Sequence, residues 1–214
     1  AVQETLTTHE RMKRLFAHQE ADRIALFETP WGATSSRWRA EGMGDADYVD
    51  FFGLDRLVGV GVDNSPRYPT RVVEEDEESV TSVNSWGVTR RNWKHRASVP
   101  EFLDATVKTA DDWQDAKQRM TVSEDRIDWD RLKRDWPRWR EQGAWIQAGG
   151  WFGFDITHAQ FVGTERILFA LVEDPEWVKD MFQTELDLCL ALFDRIWEAG
   201  YHFAIVSMAA MGGA

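Results

Sequence analysis

The sequence predicts an α/β fold in which buried strands alternate with helices. Three observations carry this. Four short apolar runs, Ile24–Glu28, Arg56–Val62, Ala144–Gly150 and Phe203–Met208, read as strands covered on both faces. Helical patterns separate them, so the strands should be parallel with right-handed crossovers. From Asp174 to Gly200 one long amphipathic pattern then feeds directly into the last apolar run. An α/β barrel and a doubly wound sheet both satisfy this pattern. A closed barrel has eight strands over about 250 residues. With about four strands in 214 residues, the chain reads as the first half or so of a TIM-type barrel. The expectation is one domain over 1–214, truncated at its C-terminal end.

The elements follow in order. Thr7 and Glu10 have capping-box spacing, and Met12, Leu15 and Phe16 then share a helical face. The run Ile24–Glu28 is the first strand, and Pro30–Gly42 reads as a loop rich in Gly, Ser, Trp and Arg. Asp45 is placed to cap a short helix ending at Gly53. The second strand, Arg56–Val62, ends at the turn sequence Asp63-Asn64-Ser65-Pro66. Arg71–Trp93 alternates and is rich in β-branched residues, which predicts an antiparallel insertion of two or three strands. Within it, the acidic run Glu74–Glu78 reads as a solvated turn.

Pro100 and Thr109 are read as openings of two helices. Ile127–Gln142 is a further helix with Trp129, Leu132, Trp136 and Trp139 on one side, and Pro137 should kink or restart it. The strand Ala144–Gly150 leads into a Gly-aromatic loop, Trp151–Asp155, and Thr164–Val172 is helical. Asp174 caps the long helix, Pro175 sits in its first turn and Gly200 lies just past its end. Phe182, Leu186, Cys189, Leu190, Phe193 and Trp197 are read as its buried stripe, with Cys189 a core residue.

Composition narrows the function classes. A net charge of −12 disfavours nucleic acid and anionic membrane surfaces as partners. No apolar run approaches membrane-spanning length, and the N-terminus lacks a signal-peptide core. The single cysteine excludes an internal disulfide and a thiolate-rich zinc site, and with the other features points to the cytoplasm. Twelve tryptophans are unusual, and several stand beside Gly and Arg where they could wall a pocket for a flat ligand.

Several segments in order resemble the uroporphyrinogen decarboxylase superfamily, in particular its decarboxylase-like branch near the corrinoid-linked methyltransferases. They are Glu10–Leu26, Trp31–Gly42, Trp86–Lys94, Val99–Met120, Gly153–Phe182 and the helix into Gly200–Phe203. The resemblance implies a TIM-like barrel with its pocket at the C-terminal strand ends, continuing beyond residue 214, and a homodimer. Three departures stand out. Where decarboxylases carry an arginine-rich loop after the first strand, this chain has Thr29-Pro30-Trp31-Gly32-Ala33, with arginines at Arg37 and Arg39. The His-x-Cys pair and later Cys that hold zinc in the methyltransferases are absent, so no metal is expected. Where many relatives have Asp-Asp-Met-Gly after the last strand, this chain has Ala209-Ala210-Met211-Gly212.

The candidate catalytic residue is Asp63, after the second strand. The resemblance implies that it bonds pyrrole N–H groups and steadies the cation formed when the ring is protonated. Its alternative is a turn-forming aspartate. Glu28, Trp31, Arg37, Arg39, Trp151, Asp155 and His158 are candidate substrate-binding residues. The arginines suit carboxylates, Trp31 and Trp38 suit a flat ring, and His158 is a candidate acid or ligand to a metal or corrinoid. Arg90, Arg91, Lys94, His95 and Arg96 form a basic cluster on the insertion, read as a charged hairpin face.

The leading expectation is a uroporphyrinogen decarboxylase-like lyase that needs no cofactor. A corrinoid (cobalamin)-dependent methyltransferase, working with a corrinoid protein, is the alternative. A non-catalytic fragment or degenerate binding protein is the third.

Overall fold

A computed structural model of the chain describes residues 5–96 and 98–209. The fold is α/β, with a parallel three-stranded sheet and an antiparallel four-stranded sheet. Contacts divide the chain into two compact units. The first draws on 1–60, 128–148 and 201–206, and the second on 61–127, 149–200 and 207–214.

The first unit opens with α1 (Thr8–Phe16), closed by the expected capping box of Thr7 and Glu10. Its buried residue is Arg11, held by Asp22 and Asp55. Strand β1 (Leu57–Val60) pairs in parallel with β6 (Trp145–Trp151), Leu57 opposite Trp145 and Val60 opposite Ala148. The third strand, β7 (Ile205–Ala209), completes the order β1-β6-β7. Helix α5 (Trp129–Glu141) precedes β6 and is continuous through Pro137. Leu132 and Trp139 are its buried residues, and Trp136 packs edge-on against Tyr201 at 5.2 Å.

The second unit contains the antiparallel sheet β2 (Arg71–Glu75), β3 (Ser79–Val83), β4 (Val88–Trp93) and β5 (Glu101–Ala105), in that order. Four helices belong to it: α4 (Ala110–Arg119), α6 (Phe154–Gln160), α7 (Thr164–Glu173) and α8 (Pro175–Glu198). Its core is aromatic and aliphatic. Phe161 lies edge-on between Trp86 and Trp113, at 5.2 and 5.5 Å, and Ile167, Met181, Leu192 and Ile196 are fully buried.

Several expectations are corrected. Ile24–Glu28 is not a strand, because its backbone bonds to Asp55 rather than to a ladder. Leu26 donates to the Asp55 carboxylate at 2.8 Å and accepts from the Asp55 amide at 2.6 Å. Its side chains Ile24, Leu26 and Phe27 are exposed. Three parallel strands therefore remain of the four expected, and no closed barrel is formed among the described residues.

The stretch read as a loop over Pro30–Gly42 is mostly helical, as α2 (Gly32–Trp38) with a wider turn over Arg39–Met43. The short helix is α3 (Tyr48–Phe51), capped by Asp47 rather than Asp45, since the Asp47 carboxylate accepts the Val49 amide at 2.8 Å. Pro100 opens strand β5, not a helix: Ala105 pairs with Val88 and Phe102 with Arg90, and a proline is tolerated at the start of an edge strand. Of the stripe assigned to α8, Cys189 and Phe193 are buried, while Leu190 and Trp197 are exposed. The true stripe is Val178, Met181, Glu185, Leu188, Leu192 and Ile196, spaced three and four apart. Of the terminal Ala209-Ala210-Met211-Gly212, residues from Ala210 onward lie outside the described ones.

Candidate functional site

In a parallel α/β sheet the loops beyond the C-terminal strand ends carry chemistry, because the strands converge there and the helices leave a crevice. Two such loops lie in the second unit, after β1 and after β6.

The loop after β1 is a network centred on Asp63. One carboxylate oxygen accepts from the Ser65 amide at 3.0 Å and from its hydroxyl at 2.7 Å, and the other accepts from Arg67 Nε at 2.6 Å. Burial pushes the Asp63 carboxyl up, but the Ser65 and Arg67 bonds outweigh it, so the group is held ionised below the usual carboxylate range. The side chain is 40% exposed, so it stays open to a ligand. Arg67 has φ +55°, an unfavourable conformation for a long side chain. Two bonds to Asp125 hold it there, one from Nη1 to the carboxylate at 2.6 Å and one from Nη2 to the carbonyl at 2.7 Å.

Beneath this loop lies Arg126. Its guanidinium donates to the carbonyls of Thr121, Asp63, Ser65 and Arg119 at 2.7, 2.8, 2.8 and 2.7 Å. Burial lowers its pKa. The planar fork of five donors suits this fan of carbonyls, which a lysine could not match.

The loop after β6 is anchored from two sides. Asn64 Nδ2 donates to the Trp151 carbonyl at 2.8 Å, tying it to the residue after Asp63. Glu185, fully buried on α8, accepts from the Gly153 amide at 2.8 Å and from Thr157 Oγ1 at 3.0 Å. Gly153 caps α6 with φ +80°, a conformation that favours glycine. Burial raises the Glu185 carboxyl to about 8, against the two hydrogen bonds that favour its ionised form. One turn along, burial and the Glu185 charge push the Cys189 thiol up to about 12, partly offset by a hydrogen bond with Asn64. This agrees with the reading of Cys189 as core.

The other candidates of this unit sit on the same segment. The Trp151 side chain is exposed. His158 Nε2 lies 3.5 Å from Asp155, Nδ1 lies 3.0 Å from Thr164 Oγ1, and the ring stacks on Phe154 at 5.1 Å. Both ring nitrogens thus face protein partners.

The first unit carries Glu28, Trp31, Arg37 and Arg39 on a single stretch. Glu28 accepts from the Thr29 amide at 2.9 Å, and its carbonyl accepts from the Tyr48 hydroxyl at 3.2 Å. Trp31 is exposed immediately before α2. Arg37 pairs with Glu41 at 2.7 Å across one helical turn on an exposed face, and Arg39 begins the wider turn. Trp38 packs on Phe52 at 4.8 Å.

The structure therefore brings together Asp63, Asn64 and Trp151, and separately Asp155 with His158. Sequence reasoning missed Glu185, Thr157 and Arg126. Glu185 had a signal, because the apolar residues of α8 run straight through it. Arg126 had none, since its partners are all backbone carbonyls. No group of three or more His, Cys, Asp or Glu side chains that could hold a metal occurs among the described residues.

Fold and site together define an α/β protein with an ionised, half-exposed aspartate at the C-terminal end of a parallel strand. Among known proteins, no family model, curated relative or solved structure matches the chain. Among the described residues no helix is long and apolar enough to cross a membrane.

Proposed function

We propose that the chain is a uroporphyrinogen decarboxylase-like lyase, with its parallel sheet an arc of a TIM-type barrel. The observation that carries the reading is Asp63. It lies just past β1, where such a barrel places its chemistry. It is ionised below the usual carboxylate range and remains partly open to solvent. A fixed anion of this kind accepts pyrrole N–H groups and lowers the energy of the cation formed when the ring is protonated. Loss of carbon dioxide from the acetate side chain then moves its electron pair into the ring, leaving an exocyclic methylene; that carbon takes a proton from water to become the methyl group, and the ring gives up the proton it had gained. In this reading Arg126 and Arg67 are positioning residues, fixing the Asp63 backbone and carboxylate. No cofactor enters the reaction.

The test is turnover of uroporphyrinogen under anaerobic conditions without added metal, followed by chromatography of the porphyrins after oxidation. Coproporphyrinogen, or partly decarboxylated intermediates, is the expected product. Absence of all of them overturns the reading. A change in the spectrum of a corrinoid given a methyl donor and the chain would move the assignment to methyl transfer.

A further inference from the structure

We infer that a cleft of about 840 Å³ in the second unit binds a small amphipathic organic anion, one acidic head on an apolar body. Its walls come from β4, β5, the end of α6, the start of α7 and the segment that joins them. Its volume falls within the roughly 300–1,000 Å³ of small-molecule sites.

The head-group position is Arg90. Among the described residues its guanidinium has no hydrogen-bond or ion-pair partner, and its Nε is shut off from water. That is unexpected in a chain of net charge −12. Arg90 lines the cleft, so the unpaired guanidinium is placed to take an anionic acceptor from it. The neighbouring cations are already engaged: Arg91 of β4 with Glu101 at 3.2 Å, and Lys94, just past β4, with Glu75 at 2.7 Å. The β4–β5 ladder also slips by a residue between Thr89 and Arg90, a bulge of the kind that re-aims side chains.

The apolar body is provided for beside it. Arg90 pairs with Phe102 across the ladder, so the two share a face. Val99, Phe102 and Phe169 line the cleft and are exposed. Gly163 opens space next to Phe102. A Cβ there would come within 3.0 Å of the Phe102 ring, and its φ of +89° favours glycine.

Two acidic side chains also line the cleft. Asp104 is neutralised by Lys108 at 2.7 Å. Glu165 stands beside Arg166, whose Nη1 donates to the Val162 carbonyl at 2.6 Å. The cleft therefore offers one unengaged guanidinium, which fits a single carboxylate or sulfonate rather than a polyacid.

The test uses 1-naphthoate and its uncharged counterpart 1-naphthalenemethanol in calorimetric titrations. Naphthoate should bind at one site and at least about ten-fold tighter than the alcohol, the worth of one charge-assisted hydrogen bond. Arg90→Met should abolish that difference while the alcohol still binds. Arg91→Met should preserve it. Phe169 is exposed on α7, so Phe169→Ala is a second variant that should fold; it should weaken both probes by about five-fold. No naphthoate binding, equal affinity for the two probes, or unchanged affinities in Arg90→Met or Phe169→Ala overturns the assignment. No tetrapyrrole is used, so a failure here leaves the decarboxylase reading standing.

Discussion

The carboxylate of Glu185 accepts the amide of Gly153 at 2.8 Å, and so joins the middle of the longest helix to the loop after β6. A buried acid costs stability when ionised unless its bonds repay the lost hydration. Here burial dominates, and the group titrates near 8 against an ordinary value of 4.5. Between those values the folded state holds a proton that the unfolded state has released. Stability must then fall as pH rises through that window, by up to about 1.4 kcal/mol per unit.

Glu185→Gln keeps the shape and both hydrogen-bond positions, yet does not ionise. Its stability should vary less with pH than that of the wild type, and it should match or exceed the wild type at pH 8. Urea denaturation from pH 5 to pH 8 checks this. Identical pH slopes in the two proteins would sink it.

Arg126→Met should destabilise the chain by about 3 kcal/mol, because it removes a buried guanidinium and the donor of four carbonyls, that of Ser65 in a buried bond and the others part-buried. Arg126→Lys should recover only part of this, since one ammonium cannot face carbonyls spread around a planar fork. The measurement is the urea midpoint of each variant. A loss under about 0.5 kcal/mol, the scale of ordinary surface changes, would show that the fan of bonds is not structural.

These two residues mark the limits of sequence reading here. Three helix caps were legible, because Thr7, Thr109 and Asp174 act through spacing within one turn, whereas the cap of α3 is Asp47 and not Asp45. The parallel strands were legible as apolar runs. Ile24–Glu28 was equally apolar but is unpaired, and pairing is a tertiary property that a run of five residues does not encode. Pro100 illustrates the same ambiguity, since proline opens helices and edge strands alike. Of the site, Asp63 was found by its position after a strand. The groups that hold it, Arg67, Asp125 and Arg126, act through long-range geometry that no local pattern announces.

Asp55 should prove the most sensitive residue of the first unit. Its side chain is fully buried and meets Arg11, Arg23 at 2.5 Å, the Leu26 amide at 2.8 Å and the Thr8 hydroxyl at 3.1 Å. Burial pushes its carboxyl up, but the Leu26 amide and the two arginines outweigh this and hold it below the ordinary range. Asp55→Asn removes the buried anion that Arg11 and Arg23 share, while Arg11 keeps Asp22, and should cost about 3 kcal/mol. Thermal unfolding measures it. A shift no larger than that of an exposed control such as Glu176→Gln would disprove the role.

Asp63→Asn separates chemistry from scaffold. The substitution retains an oxygen for Ser65, and Arg67 keeps its two bonds to Asp125. The loop should therefore persist, while the anion beside the substrate is lost. Under the decarboxylase reading kcat should fall by about a hundred-fold or more, the scale of one electrostatic contact to a developing charge, with KM little changed. The same variant carries a stability signature independent of substrate. Because the folded Asp63 carboxyl lies below its ordinary value, the stability it confers is complete above that value and is lost as pH falls through the folded one. The gap between wild type and Asp63→Asn should narrow as pH falls below the ordinary value of 3.8, where the unfolded chain takes up its proton before the folded group does. Paired denaturation curves across that range test the ionisation, and the kcat ratio tests the role. A constant gap would refute the depressed titration of Asp63. An unchanged kcat would remove it from the reaction.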